Sequence, residues 1–178
     1  MTNKKIILNA QDFKRILTRI SHQILEQHKG TENLALVGIQ TRGDFLAKRL
    51  ADEILGIENV SLPVGSMDIN MYRDDWTKIS YQPTVRPSKI PFSVDDKEII
   101  LVDDVLYTGR TIRAAMEALM DFGRPSRIEL AILTDRGHRE LPIQADFRGI
   151  SIDTDPEDMI NVHVREHDGE DCVYLEKE

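Results

Sequence analysis

The stretch Ile99-Ile-Leu-Val-Asp-Asp-Val-Leu-Tyr-Thr-Gly-Arg-Thr111 decides the fold of this 178-residue chain. Its apolar start is typical of a fully buried parallel strand, and the run ends on the paired carboxylates Asp103 and Asp104. A turn with Thr108 and Gly109 follows, and then a helical pattern begins. This order of strand, acidic pair, glycine turn and helix predicts a ligand crevice at the end of a strand in an open α/β sheet.

The same stretch suits a ribose 5-phosphate. The amides and positive dipole end of a helix attract a phosphate, and the hydroxyls of Thr108 and Thr111 add donors. Gly109 allows the backbone to approach the phosphate closely. Asp103 and Asp104 can accept hydrogen bonds from the ribose diol or hold a hard cation beside it. Each feature alone also fits solvated aspartates and an ordinary turn, so the prediction depends on their combination.

Apolar periodicity in the rest of the chain predicts alternating strands and helices. The alternation favours a single α/β domain over residues 1–178, with a parallel sheet flanked by helices. We expect helices over residues 11–28, 44–54 and 110–122, and strands over residues 33–39, 60–70, 99–103, 128–134 and 160–164.

Two regions break this alternation. Residues 72–94 mix prolines and charges without either period, which predicts a flexible lid over the site, with a disordered excursion as the alternative. Arg73 and Arg86 lie in this segment, and we expect them to close over a reacting diphosphate and exclude water. A surface ion pair with a neighbouring aspartate is the alternative for Arg73. Residues 135–178 are predicted to form a small C-terminal hood and tail that pack over the edge of the sheet.

Composition limits the function classes. The formal net charge of −8 argues against non-specific, charge-driven binding of nucleic acid, although it allows a local basic patch. The lone cysteine, Cys172, excludes an internal disulfide and suits a reducing compartment. The chain has no apolar run of membrane length, so we expect a cytoplasmic protein.

A second loop after a strand, Gly38-Ile-Gln-Thr-Arg-Gly43, has the spacing of a P-loop, but Asp44 stands where that motif needs lysine. The remaining groups are Thr41, Arg42 and backbone amides at a helix start. They suit a diphosphate, with Arg42 supplying charge. A plain strand-to-helix turn is the alternative.

The stretch from Ile99 to Thr111 resembles the phosphoribosyl diphosphate (PRPP) signature of type I phosphoribosyltransferases. Together with residues 41–43, 72–75 and Asp135-Arg-Gly-His-Arg-Glu-Leu-Pro142, it makes nearly the whole chain similar to the family of bifunctional pyrimidine operon attenuation regulators and uracil phosphoribosyltransferases. The resemblance implies the type I phosphoribosyltransferase fold and the Mg²⁺-dependent reaction uracil + PRPP → UMP + diphosphate. Its partners would be PRPP, uracil, UMP or UTP and a pyrimidine operon leader RNA, and the chain would form a homo-oligomer, a dimer or larger.

Site residues follow from the matched motifs. Asp103 and Asp104 would hold Mg²⁺ through the ribose diol and diphosphate and stabilise the cationic sugar, and Arg42 and Arg73 would assist departure of diphosphate. A cis peptide in the diphosphate loop is expected at Thr41–Arg42. The residues implied in binding PRPP or nucleotide are Thr41, Arg42, Asp103, Asp104, Val105, Leu106, Tyr107, Thr108, Gly109, Arg110 and Thr111, and those implied at the base are Arg136 and the backbone around Ile160.

The family also implies an RNA-binding face on the first helix and the loop after the last core strand. This chain departs from the family there. Gln144 stands in place of an arginine, and Gly149-Ile-Ser-Ile-Asp-Thr-Asp155 replaces Gly-Lys-Asn-Ile-Pro-Thr-Ser, losing a lysine and gaining two carboxylates. Fewer phosphate contacts and added negative charge predict weakened RNA binding. The residues that match the face are Thr18, Arg19, His22, Thr41, His138 and Arg139.

Two alternative functions stay open. One is an RNA-binding attenuation regulator that responds to uridine nucleotides and has little catalysis. The other is a phosphoribosyltransferase for a purine base, because the loop at Arg136 and the tail near Ile160 decide the base and their sequence does not identify it.

Overall fold

The computed structural model describes residues 3–72 and 87–177. Residues 73–86, which include Arg73 and Arg86 and most of the predicted lid, lie outside the described part. The strands are β1 (Asn3–Leu8), β2 (Leu34–Ile39), β3 (Val64–Met67), β4 (Glu98–Leu106), β5 (Arg127–Asp135), β6 (Phe147–Ser151), β7 (Met159–His163) and β8 (Cys172–Lys177), and the helices are α1 (Ala10–His28), α2 (Arg42–Glu58), α3 (Arg110–Met120) and α4 (Arg165–Asp168).

The main sheet has five parallel strands in the order β3-β2-β4-β5-β6. Strand β4 lies in the middle, and alternate residues along it face opposite sides of the sheet. Ile100 and Val102 pack into the apolar cluster with α1 and α2, whereas Ile99 and Leu101 pack into the cluster with α3. Burial on both faces explains the continuous apolar run, and it confirms the predicted parallel α/β sheet flanked by helices.

Helix α1 forms where the apolar spacing predicts it. The side chain of Asn9 caps its start by accepting hydrogen bonds from the amides of Gln11 and Asp12, at 2.9 and 3.0 Å. The helix ends at His28, and Lys29 after it has the left-handed conformation common at helix C-termini (φ 54°). Its predicted inward residues are all buried: Phe13, Ile16, Leu17, Ile20 and Ile24.

Strand β4 is longer than the predicted 99–103. It continues to Leu106 because its ladder with β5 extends through the pairs Val105–Thr134 and Leu106–Asp135. The strand predicted over residues 60–70 is shorter, Val64–Met67, since only that part pairs with β2.

A second sheet of three antiparallel strands, β1-β8-β7, lies beside the main one and forms the hood. Two of its strands come from the predicted hood region, residues 135–178, and the third is the N-terminal β1. Strand β6, also within that region, extends the main sheet instead of covering its edge. Phe147 and Gly149 face the core, while Arg148 and Ser151 are exposed. This alternation of buried and exposed residues is too short for the sequence to predict the strand.

In the ranges 3–72 and 87–177, no helix has the length and apolar character needed to cross a membrane.

Candidate active site

The acidic pair lies near the carboxyl end of β4, inside the fold. Asp103 is buried and accepts a hydrogen bond from the amide of Asp104 at 2.9 Å, and Asp104 accepts one from the amide of Val105 at 2.7 Å. Burial, followed by repulsion from Asp104, raises the pKa of Asp103 well above its usual value. Burial also raises the pKa of Asp104, against the opposing effects of the Val105 amide and the charge of Arg42. A cation or hydroxyl donors at this point would relieve the cost of ionising both carboxyls.

The turn after β4 leads directly into α3. Gly109 has φ +93°, which favours glycine, and an added Cβ there would lie 3.3 Å from Cβ of Ile143. The hydroxyl of Thr108 accepts a hydrogen bond from the amide of Arg110 at 3.3 Å. Helix α3 begins at Arg110, so its first-turn amides open beside this turn as predicted for a phosphate site.

The residues predicted to bind PRPP along this stretch differ in their positions and in the contacts that they make. The turn contains Thr108 and Gly109 as predicted, and Val105 and Leu106 before it belong to β4. The Leu106 side chain is buried in the core, and its carbonyl accepts a hydrogen bond from the amide of Arg136 at 3.1 Å. The guanidinium of Arg110 donates to Glu140 at 2.6 Å. Thr111 lies in the first turn of α3, so its amide and hydroxyl belong to the helix start that follows Thr108 and Gly109.

The loop between β2 and α2 is pressed against β4. A cis peptide bond joins Gln40 and Thr41, one bond before the predicted position. A Cβ added at Gly43 would lie 2.3 Å from the carbonyl oxygen of Val102, so only glycine permits the start of α2 to approach β4 this closely. This contact brings Thr41 and Arg42 beside the acidic pair, as the two sequence motifs together predict.

Arg42 is also held by the hood. Its Nε and Nη2 donate to the two carboxylate oxygens of Asp168, at 3.0 and 2.8 Å. This bidentate pair lowers the pKa of Asp168 to about 2 and raises the pKa of Arg42. The positive charge of Arg42 also acts on Asp104, where it opposes the rise in the pKa caused by burial.

The predicted base contacts lie at the end of β5 and in the hood. Arg136 is buried, and its guanidinium carbon lies 4.0 Å from the ring centroid of Tyr107. Its Nη2 donates to the carbonyl of Asp155 at 3.2 Å, while its buried Nε has no hydrogen-bond partner among the described residues. Ile160 is half-buried in β7 and packs against the core.

Arg19, His22 and Thr18 occupy one side of α1, next to β6. Arg19 is exposed and donates to the carbonyls of Arg148 and Gly149. His22 is exposed as well, whereas the Thr18 hydroxyl donates to Glu53 at 2.9 Å.

The loop residues of the predicted RNA face differ in exposure. His138 is exposed and its Nε2 lies 2.7 Å from the carbonyl of Thr154. Arg139 is half-buried, and it donates to the carboxylate of Asp135 at 2.6 Å and to the carbonyls of Tyr107 and Ile143, at 2.7 and 2.9 Å. Arg139 therefore supports the loop more than it presents charge to solvent.

A polar cleft of about 410 Å³ joins the loop after β5 to β6. Gln144 and Asp153 line it, so two of the four departures from the family lie among its arginines. Ile150, another of the four, is half-buried and packs against the core, so a lysine there would disturb packing as well as charge. The charged side chains of the cleft are Asp135, Arg136, Arg139, Arg148 and Asp153.

Sequence reasoning missed one side chain at the site, Asp168, and one contact of a predicted residue, Tyr107. Asp168 gives no local signal, because it lies 126 residues from Arg42 and meets it only through the packing of the hood. Tyr107 is predicted to bind PRPP, but its stacking under Arg136 depends on how the loop after β5 folds back.

Comparisons with known proteins bear on this site. A family model described as "Phosphoribosyl transferase domain" matches residues 3–170. The chain is 56% identical to the "Bifunctional protein PyrR" of Thermus aquaticus over 179 residues, which cover 100% of this chain and 99% of that protein. It is 53% identical to the protein of the same name from Caldicellulosiruptor bescii over 177 residues, covering 99% and 97%.

Solved structures support the fold. A hypoxanthine phosphoribosyltransferase of Staphylococcus aureus superposes with a TM-score of 0.71 at 20% identity, covering 97% of this chain and 92% of that one. The hypoxanthine phosphoribosyltransferase of Trypanosoma cruzi gives 0.73 at 17% identity, covering 98% and 97%. At these identities the likeness shows the fold alone. The resemblance predicted from the motifs is confirmed by the full-length relatives: the chain belongs to the phosphoribosyl transferase domain family and, within it, to the family of the bifunctional PyrR proteins.

Proposed function

We propose that this chain transfers the phosphoribosyl group of PRPP to uracil, giving UMP and diphosphate, and that it also binds a pyrimidine operon leader RNA in response to uridine nucleotides. The observation that carries the catalytic part is the meeting of three groups at one end of the sheet. These are the acidic pair of buried Asp103 and half-buried Asp104, the loop with Thr41 and Arg42, and the start of α3.

The geometry suits displacement at the anomeric carbon. The bond from that carbon to the diphosphate breaks, a bond to N1 of uracil forms, and the N1 proton is released. Positive charge develops on the sugar ring, and the adjacent carboxylates of Asp103 and Asp104 stabilise it. Arg42 and the amides of its loop hold the departing diphosphate, and Thr108, Gly109 and the start of α3 hold the 5-phosphate.

Mg²⁺ fits the donor set. Asp103 and Asp104 offer carboxylate oxygens, the ligands that Mg²⁺ prefers, at a point where burial raises the pKa of both and repulsion from Asp104 adds to the rise for Asp103. They would hold the ion through the ribose diol and diphosphate, and the ion would neutralise the charge of the leaving group. The residues of the chain supply orientation and exclude water around it.

The base site rests on Arg136. Its buried Nε lacks a hydrogen-bond partner in the described part of the chain, while Tyr107 and the carbonyl of Asp155 fix the guanidinium plane. A uracil carbonyl oxygen would accept from this nitrogen, and backbone groups near Ile160 would contact the other edge of the ring. Relatives named PyrR at 51–56% identity favour a pyrimidine over the purine of the structural neighbours, which share only 14–21%.

Measuring product formation from PRPP and Mg²⁺ with uracil, hypoxanthine and guanine in parallel tests the proposal. We expect UMP as the main product and little or no purine nucleotide. Efficient formation of IMP or GMP without UMP would replace the proposed activity with the purine alternative. If no base is converted to a nucleotide but the chain binds RNA, the alternative of an RNA-binding regulator with little catalysis replaces the proposed activity.

The RNA-binding half is supported by the position of exposed Arg19 and His22 beside β6, whose Arg148 lines the arginine-containing cleft. Gln144 and Asp153 in the same cleft reduce its positive charge. We therefore propose that RNA binding is retained but weaker than in a relative that carries arginine and lysine at the replaced positions.

A further inference from the structure

A buried cluster of a histidine and two carboxylates lies at the opposite end of the sheet from the proposed active site. His28 is the last residue of α1, Glu98 is the first residue of β4, and Glu129 lies near the start of β5. The exposed fractions of these side chains are 3%, 32% and 5%, respectively. No step of the proposed transfer uses them, because the acidic pair and both phosphate loops are at the carboxyl ends of the strands.

Both nitrogens of His28 face carboxylate oxygens. Nδ1 lies 2.5 Å from Oε2 of Glu98, and Nε2 lies 2.7 Å from Oε2 of Glu129. The first contact is a hydrogen bond, but the second lacks hydrogen-bond geometry, and neither Nε2 nor that oxygen has another partner among the described residues. A buried nitrogen and a buried carboxylate oxygen thus lie at ion-pair distance without hydrogen-bond geometry, and a third group between them would give both a partner.

We propose that His28 and Glu129 bind a divalent cation of the zinc type, with Glu98 as the residue that orients the imidazole. Glu98 accepts a hydrogen bond from the protonated Nδ1 of His28. Nε2 is then unprotonated, and its lone pair can bind a metal. A carboxylate behind a metal-binding histidine is the usual arrangement at zinc sites. Oε2 of Glu129 is the second ligand, and small side-chain shifts and water complete the coordination.

The surroundings allow a cation to enter and favour its charge. A cleft of about 330 Å³ opens beside the cluster and is lined by Gln27, Glu26, Asp146 and Phe147, among others. The ring of Phe147, which lines this cleft, lies 6.3 Å from the ring of His28. The carboxylates of Glu26 and Asp146 make this entrance negative. Arg127, at 3.7 Å from Oε1 of Glu129, contacts the carboxylate oxygen that the proposed cation does not use.

A cation here would join three elements that meet at the amino end of the sheet. It would fix the C-terminal end of α1 to the first residues of β4 and β5. Because an unfolded chain does not assemble these ligands, the cation would stabilise the folded protein by mass action.

Zinc titration of the full chain, followed by thermal unfolding and equilibrium dialysis, tests the proposal. A Cys172→Ser background removes the other group of potential ligands that the described residues form, His163, Glu170 and Cys172. In that background we expect one bound Zn²⁺ and a rise in Tm of about 5–10 °C when free zinc is roughly 100-fold above its Kd. X-ray absorption should show nitrogen and oxygen ligands without sulfur.

Matched variants identify the ligands. His28→Gln and Glu129→Gln should lose the bound zinc and the Tm rise, and Glu98→Gln should weaken binding by about 10–100-fold. His22→Gln changes an exposed histidine of the same helix and should bind zinc as the parent does. If His28→Gln folds poorly, Glu98→Gln keeps the metal ligands and still reports the predicted loss of affinity.

Two results would overturn the proposal. A parent protein that binds no zinc, with a Tm independent of it, would leave His28 as an ionic bridge between two carboxylates. Equal zinc binding by the parent, His28→Gln and Glu98→Gln would place the cation elsewhere.

Discussion

At the scale of single residues, the site concentrates carboxyl groups in positions that do not favour folding. Asp103 is buried, and burial together with its neighbour Asp104 raises its pKa. A group whose pKa is higher in the folded than in the unfolded state destabilises the fold as pH rises, because the folded state must lose a proton it holds more tightly. The pair is therefore expected to serve ligand binding at a cost in stability.

Asp103→Asn should consequently stabilise the free protein more at high pH than at low pH. The wild-type protein loses stability between about pH 4 and the raised pKa of Asp103, whereas the amide does not titrate. Unfolding curves of both proteins from about pH 4 to 8 measure this difference. A variant that is less stable by the same amount at every pH would contradict the assigned cause.

The predictability of these residues depends on how local their signals are. Asp103, Asp104, Thr108 and Gly109 form one ordered motif, so their positions at a strand end and helix start could be predicted from sequence. The bond between Arg42 and Asp168 could not, because it depends on the hood docking over α2. Similarly, no sequence pattern shows that the imidazole of His28 meets carboxylates from two strands.

At the scale of elements, α2 links the diphosphate loop to both sheets. Gly43 in its first turn touches β4, Arg42 binds Asp168, and Arg49 binds Glu166 and Asp171 at 2.5 and 2.7 Å. The hood is thus attached to the main sheet through two arginines of one helix. The strong signals of α1, α2 and β4 made these elements predictable, whereas β1 and β6 are short edge strands whose exposed residues hide their pattern.

Two glycines of α2 provide a matched test of its contact with β4. Gly43→Ala should cost about 3 kcal/mol or more, since its Cβ would lie 2.3 Å from a carbonyl oxygen of β4. Gly56→Ala, in the same helix with no atom within 4 Å of the added Cβ, should gain about 0.5–1 kcal/mol. Urea unfolding of the two variants gives both numbers. Similar stabilities for the pair would show that α2 does not press against β4 as described.

The attachment of the hood should respond to acid. Because Arg42 lowers the pKa of Asp168 to about 2, its contribution is present above the usual carboxyl pKa and disappears as pH falls towards about 2. Asp168→Asn should lose about 1–2 kcal/mol at neutral pH and show a weaker acid dependence than the wild type. Unfolding measured at pH 7 and pH 3 checks this. An unchanged difference between the two pH values would mean that the pair does not stabilise the fold.

At the scale of the whole molecule, the three proposed sites lie at different edges of one sheet. The proposed chemistry lies at the carboxyl ends of β2, β4 and β5, the proposed cation cluster at their amino ends, and the arginine-containing cleft beside β6. The fold class and the catalytic end were predictable from strand order and motifs. The cleft was not, because β6 was not predicted and its arginines come from separate elements.

RNA binding can be strengthened at this cleft without altering the core. Gln144→Arg with Asp153→Asn adds one positive charge and removes one negative charge, while half-buried Ile150 is left in place. The variant should bind a pyrimidine operon leader RNA more tightly, with the slope of log K against log salt steeper by about one unit per new phosphate contact. Filter binding at several salt concentrations measures the slope. Equal affinity and slope in the two proteins would mean that the cleft is not part of the RNA face.

We propose that the acidic pair, Asp103 and Asp104, supports transfer of the phosphoribosyl group to uracil. The most direct test is UMP formation from uracil, PRPP and Mg²⁺ by the wild type, by Asp104→Asn, and by Asp52→Asn, which changes an exposed aspartate of α2. We expect a loss in kcat of about 10²-fold or more for Asp104→Asn, with folding retained, and wild-type activity for Asp52→Asn. Near-normal UMP synthesis by Asp104→Asn, or none by the wild type, would contradict it.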